Sequence, residues 1–90
     1  MRGDSKRERT KPEKVKEILH GSSCVEIFMR DDHVSGNTFY DYRVNRRFEK
    51  RDGTIVHFPY LQQRDLRDTV RCLMDAMEWI AFVNKKTDTE

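Results

Sequence analysis

The stretch from Thr38 to Tyr60, TFYDYRVNRRFEKRDGTIVHFPY, constrains this chain more than any other. Apolar and polar residues alternate from Phe39 to Phe48, Asp52-Gly53 supplies a turn signal, and Thr54-Ile55-Val56-His57-Phe58 returns. That pattern predicts one long β-hairpin. Side chains alternate across a strand, so Tyr40, Tyr42, Val44 and Phe48 share one face, and Phe39, Asp41, Arg43, Asn45 and Arg47 the other. The first is a core face interrupted only by Arg46, whose charged end is expected to snorkel past a covering helix at the sheet margin. The second mixes an aromatic ring with two arginines and an amide, groups that suit a flexible, charged, ring-bearing ligand.

Cys24 to Arg30 reads as an earlier strand, with Val25, Ile27 and Met29 on one side and Glu26, Phe28 and Arg30 on the other. Phe28 on the polar side repeats what Phe39 does on the next strand. Two readings stay open: a second binding aromatic, or a bulge that turns Phe28 into the core. Asp31 to Asn37 is rich in turn formers, and Pro59 ends the third strand or lies on an edge. Three strands are clear; a fourth needs the 38–50 segment to bend or break, or residues 31–37 to pair.

The chain before these strands is expected to be a disordered charged arm over residues 1–11 and a short helix over Pro12–Leu19. Pro12 suits a first helical turn, Gly21 a C-terminal stop, and Val15, Ile18 and Leu19 follow i, i+3, i+4. Two turns do not stand alone in water, so this element must dock on something or fray.

Leu61 to Val83 is a long amphipathic helix. Leu66, Val70, Leu73, Met74, Met77, Ile80 and Ala81 fall within about 120° of arc, a face made for a sheet. A second row, Cys72, Ala76, Trp79 and Val83, widens the apolar arc beyond what one sheet covers. That row is the expected homodimer interface, unless the N-terminal helix covers it within the monomer. Residues 12–84 thus make a single α+β domain, and 85–90 a polar tail.

Composition limits the function more than it defines it. The net charge of +2 is small, and residues 1–20 carry most of the excess, with seven Lys/Arg against four Asp/Glu. Met1 to Leu19 contains no apolar run, and no stretch approaches the roughly 20 apolar residues of a membrane span. Cys24 and Cys72 stand alone, which argues against a disulfide framework or a zinc site and for a reducing, cytoplasmic (or nucleoid-associated) setting. His20, His33 and His57 are scattered, the four glycines are isolated, and Asp31-Asp32-His33 reads as a hydrophilic turn. No enzyme activity, cofactor or metal is expected.

A charged arm, strands bearing VEIFMR, TFYDYRVNRRFEK and TIVHF, and a helix opening with LQQRDLRDTV form a familiar order. It resembles the single-stranded-DNA-binding transcriptional regulator fold of the positive-cofactor-four coactivators, the Whirly proteins and the purine-rich-element-binding (Pur) proteins. The likeness covers residues 24–83 and includes the strand-to-helix passage HFPYLQQRDL. It implies a curved antiparallel sheet of three to four strands before one long helix, with two units combining through helices. It also implies single-stranded DNA or RNA as partner, held on Arg30, Phe39, Arg43, Asn45, Arg47 and His57. The alternative is a dimeric protein-interaction or structural module whose sheet face is only a surface.

Overall fold

The alternating stretch does form the central strand and its return. The computed structural model describes residues 12–88, with side chains as far as Asn84. Strands β1 (Glu13–His20), β2 (Ser23–Asp31), β3 (Thr38–Glu49) and β4 (Ile55–Phe58) lie in that order in one antiparallel sheet. A single 3-10 turn, Gln63–Asp65, leads into helix α1, Leu66–Asp88. Asp52-Gly53 makes the β3–β4 turn, with Gly53 at φ 92 and its N–H donating to the Lys50 carbonyl at 3.0 Å. The charged arm expected over residues 1–11 lies outside the described residues. The expected polar tail is helical as far as Asp88.

The fourth strand comes from the segment expected to be a helix. Residues 13–20 pair antiparallel with β2, Ile18 opposite Val25 and Lys16 opposite Ile27. The register shifts between Lys14 and Lys16, a β-bulge that adds one residue to β1. Val15 and Ile18, three apart, would face opposite ways in a regular strand. The bulge puts both against the core. A bulged strand has here the same apolar spacing as two turns of helix, and pairing with β2 gives the backbone partners that a fraying helix lacks.

The β1–β2 turn is tight. Gly21 has φ 59, and a Cβ there would meet the Asp68 carboxylate at 2.5 Å. The left-handed backbone favours glycine, and any larger residue would also have to push the Asp68 carboxylate aside.

Helix α1 crosses β1 and β2. Its start is pinned by the Asp65 carbonyl, which accepts from Thr69 Oγ1 at 2.8 Å and from Ser23 Oγ at 3.2 Å. The Asp65 carboxylate accepts the Gln62 N–H at 2.9 Å and lies 3.7 Å from Arg46 Nε. Arg46 therefore stays on the helix side of the sheet, beside a buried carboxylate. The Cys72 thiol donates to the Ser23 and Ile18 carbonyls at 3.5 and 3.7 Å. Ile18, Val25, Ile27, Cys72 and Ala76 form the buried core, with Val15, Tyr40, Val44, Leu73, Trp79 and Ile80 packed around it.

The helix therefore faces the sheet with the row that the sequence assigned to a second subunit. Cys72 and Ala76 are buried in this chain's own core, Val83 is half-buried, and Trp79 meets Tyr40 edge to face at 5.9 Å. Of the seven residues expected against the sheet, only Leu73 and Ile80 pack there. Small side chains at 72 and 76 let the helix approach the sheet closely, which the longer Leu66, Val70, Met74 and Met77 would prevent. Those four are exposed. Because α1 lies mainly over β1 and β2 and reaches β3 only at Tyr40 and Val44, Tyr42, Phe48 and Phe58 on the same sheet face stay open, and Phe48 and Phe58 pack edge to face. No helix among the described residues is long and apolar enough to cross a membrane.

Candidate functional site

The sheet face away from α1 is open. Strands β2 and β3 pair without a break, Arg30 opposite Phe39, Phe28 opposite Asp41, Glu26 opposite Arg43 and Cys24 opposite Asn45. Residues opposite one another share a face. Phe28 is thus a ring on the open face, half-buried, and the bulge that might have turned it inward lies in β1 instead.

Each ring carries an arginine. The Arg30 guanidinium lies 5.1 Å from the Phe39 ring centroid, and that of Arg43 lies 5.1 Å from the Phe28 centroid. Both are cation–π distances. Each arginine is also steered by a carboxylate: Arg30 Nε donates to Asp41 at 2.8 Å, and Arg43 Nε to Glu26 at 3.2 Å. The Arg43 side chain is nonetheless 65% exposed, the most accessible of the face's paired cations. It separates two shallow depressions. One, about 270 Å³, is lined by Pro12, Phe28, Asp41 and Tyr42. The other, about 350 Å³, is lined by Val44, Asn45, His57 and Pro59.

Beneath Arg43 lies a polar network that the sequence did not disclose. Glu26, 4% exposed, accepts from Lys14 Nζ at 3.0 Å and from Asn45 Nδ2 at 2.8 Å. With its amide nitrogen turned to Glu26, Asn45 offers its oxygen to His57 Nδ1 at 2.9 Å. An amide oxygen only accepts, so Nδ1 carries the proton and the other ring nitrogen faces outward as an acceptor in the neutral ring. Glu17 pairs with Lys14 at 2.6 Å and with Arg47 Nε at 2.9 Å, and accepts from the Cys24 thiol at 3.6 Å. The Arg47 N–H is not aligned for a hydrogen bond, so that contact is an ion pair only.

The charges are correspondingly settled. The hydrogen bond from Lys14 holds the Glu17 carboxyl below its ordinary value. Burial pushes Glu26 upward, but hydrogen bonds from Lys14 and Asn45 and the Lys14 charge outweigh it, and the net shift is down. Lys14 is raised by its bond to Glu17. Burial, then the Glu17 charge, pushes the Cys24 thiol up to about 12, so it is neutral and unreactive at ordinary pH.

Depressed carboxyls stabilise the fold above their unfolded value of about 4.5, and that contribution is lost as pH falls through the folded values. The thermal midpoint is therefore expected to drop below about pH 4.5. Glu26→Gln should drop less steeply there. An equally steep fall in the variant would assign the acid lability to other groups.

All six residues expected in the site lie on this one face, but they differ in what they offer. Phe39 and Arg43 are exposed, and Arg30 is half-buried with its guanidinium held between Phe39 and Asp41. Asn45 is 2% exposed and bonded on both sides, Arg47 is half-buried against Glu17, and His57 is anchored through Asn45. Those three support the surface rather than contact a ligand first. Phe28, half-buried on the same face, belongs with these ligand-facing groups, and its parity with Phe39 was the signal in the sequence. No group of three His, Cys, Asp or Glu side chains among the described residues is placed to hold a metal ion. Comparison of the chain with protein-family models, curated proteins and solved structures gives no match in any of the three.

Proposed function

We propose that the open face of this sheet binds single-stranded nucleic acid with little sequence preference, the protein acting as a homodimer. A role in transcription regulation, in the cytoplasm or at the nucleoid, follows from the resemblance in element order. One observation carries the reading: two phenylalanines, each stacked with an arginine, sit diagonally across β2 and β3, and one of those arginines, Arg43, borders two depressions. Diagonal neighbours are about 7–8 Å apart, within reach of successive bases of an extended strand. Bases stack on the rings while the guanidiniums turn to phosphates. Such stacking tolerates any base, because every base has a π-face.

The pairing of Lys14, Arg30, Arg43 and Arg47 with carboxylates favours a second reading, a dimeric protein-interaction module. Fluorescence anisotropy with labelled single-stranded DNA, single-stranded RNA and duplex DNA separates the two. The first reading expects single strands to bind more tightly than duplex. Absence of binding, or binding abolished by deleting residues 1–11 and untouched by changes on the sheet, gives the second reading the lead.

Asp41 supplies a sharper check. It holds Arg30 at 2.8 Å and is exposed. Asp41→Asn removes a negative charge and releases that arginine, so affinity for a single strand should rise a few-fold at low salt, an effect that shrinks as salt is added. A fall in affinity would place the strand elsewhere.

A further inference from the structure

The depression beside His57 has a fixed hydrogen-bond polarity. Glu26, 4% exposed and ionised, only accepts hydrogen bonds. Its bond from Asn45 Nδ2 at 2.8 Å sets which way that amide points. The amide oxygen in turn holds the His57 proton on Nδ1, at 2.9 Å. The neutral ring is left with Nε2 as a lone-pair acceptor at the depression that His57 lines with Arg43, Val44, Asn45 and Pro59. No described residue hydrogen-bonds Nε2.

Arg43 supplies the opposite polarity beside it. One of its five N–H groups goes to Glu26 at 3.2 Å, and the side chain is 65% exposed, so four donors face outward. Pro59 accounts for the opening itself. Strand β4 pairs with β3 only from Arg46 to Glu49, and a proline, with no N–H, does not extend the ladder. The edge of β3 is therefore open at Val44, and the space there is about 350 Å³, near the small end for ligand sites.

We infer that this depression is a subsite for one uracil or thymine base, with the ring N–H donated to His57 Nε2 and a flanking carbonyl accepting from Arg43. The inference rests on the single-strand reading above and adds one selective position to it, since stacking on Phe28 and Phe39 accepts any base. An acceptor fixed beside a donor asks for the converse pair. Uracil and thymine carry a ring N–H between two carbonyls, so they match whichever way the ring enters. Cytosine and adenine set a bare ring nitrogen against the Nε2 lone pair and an amine against the N–H groups of Arg43. Guanine has the ring N–H but a carbonyl on one side only. Arg43 has donors enough to keep a phosphate as well. His57 lies below the rim, so it meets only a base that has entered, after the strand has met Phe28, Phe39 and Arg43.

Fluorescence anisotropy of the full chain with oligo(dU) and oligo(dC) of equal length tests the subsite. The two share ring size, charge and backbone, so stacking and phosphate contacts nearly cancel. Oligo(dU) is expected to bind about tenfold more tightly, the size of one well-placed base contact. Methylation of its ring nitrogen 3 replaces the donated hydrogen and should lower it to the oligo(dC) level, with the protein untouched. His57→Phe keeps a ring without the acceptor and should bring the two oligomers level while the circular dichroism is retained. Equal binding of the two by the wild type, or tighter binding of oligo(dC), overturns the subsite and leaves the single-strand reading standing. A preference for oligo(dU) that survives the methylation, or that survives His57→Phe, overturns it too. Absence of binding to either oligomer overturns both readings.

Discussion

Ile27→Ala is expected to lower the free energy of unfolding by about 2–5 kcal/mol, the range for a truncated buried aliphatic. Ile27 is 0% exposed, on the middle of β2 under the helix, and packs in the cluster that contains Ile18, Cys72 and Ala76. The loss includes both the transfer of the removed carbons and the cavity left between sheet and helix. Small domains have about 5–15 kcal/mol in total, so the loss is a substantial fraction of the variant's stability. The urea midpoint should fall with the slope unchanged. An unchanged midpoint would mean that the helix does not cover β2.

The second large effect lies on the other face. Phe28→Ala and Phe39→Ala should each weaken single-strand binding by about 1–3 kcal/mol, roughly five- to 150-fold. Their salt dependence should stay as in the wild type, since stacking releases no counterions. Both rings are partly exposed on the open face, and stability should change much less than for Ile27. If either substitution leaves affinity unchanged, the arginine-capped rings are not where bases sit.

Where the sequence was read correctly, the period was unambiguous. Strand β3 alternates from Phe39 to Phe48 except at Arg46, so parity alone placed Phe39, Arg43, Asn45 and Arg47 together; Arg30 was added by the resemblance, and the unbroken register with β2 sets it opposite Phe39. Two readings failed for separate reasons. The spacing of Val15 and Ile18 fits a helix, and only the bulge opposite β2 makes it a strand; a bulge depends on the partner strand and leaves no periodicity of its own. The helix was turned by about a quarter revolution because amphipathicity weighs Leu and Met above Cys and Ala. Close packing chose the small pair, Cys72 and Ala76, and displaced the larger row to the flank.

The charge balance of the site was also hidden. Glu17, Glu26 and Arg43 are far apart in sequence but stand in one row across β1, β2 and β3. Counting charges along the chain showed near neutrality, and the register shows how it arises: the face's paired cations each rest against an acid. A phosphate must compete with those acids, so the face is a conditional electrostatic surface and stacking has to supply much of the affinity. That division of labour makes salt the most informative variable.

The salt dependence of single-strand affinity in full-length wild type and in Arg30→Ala with Arg43→Ala therefore tests the binding face most directly. Each phosphate neutralised on a single strand contributes about −0.7 to the slope of log affinity against log salt. If Arg30 and Arg43 each meet one phosphate, the double variant should flatten that slope by roughly 1.4 and bind more weakly at low salt. An unchanged slope and affinity, with binding instead lost on deletion of residues 1–11, would contradict the assignment of the sheet as the site.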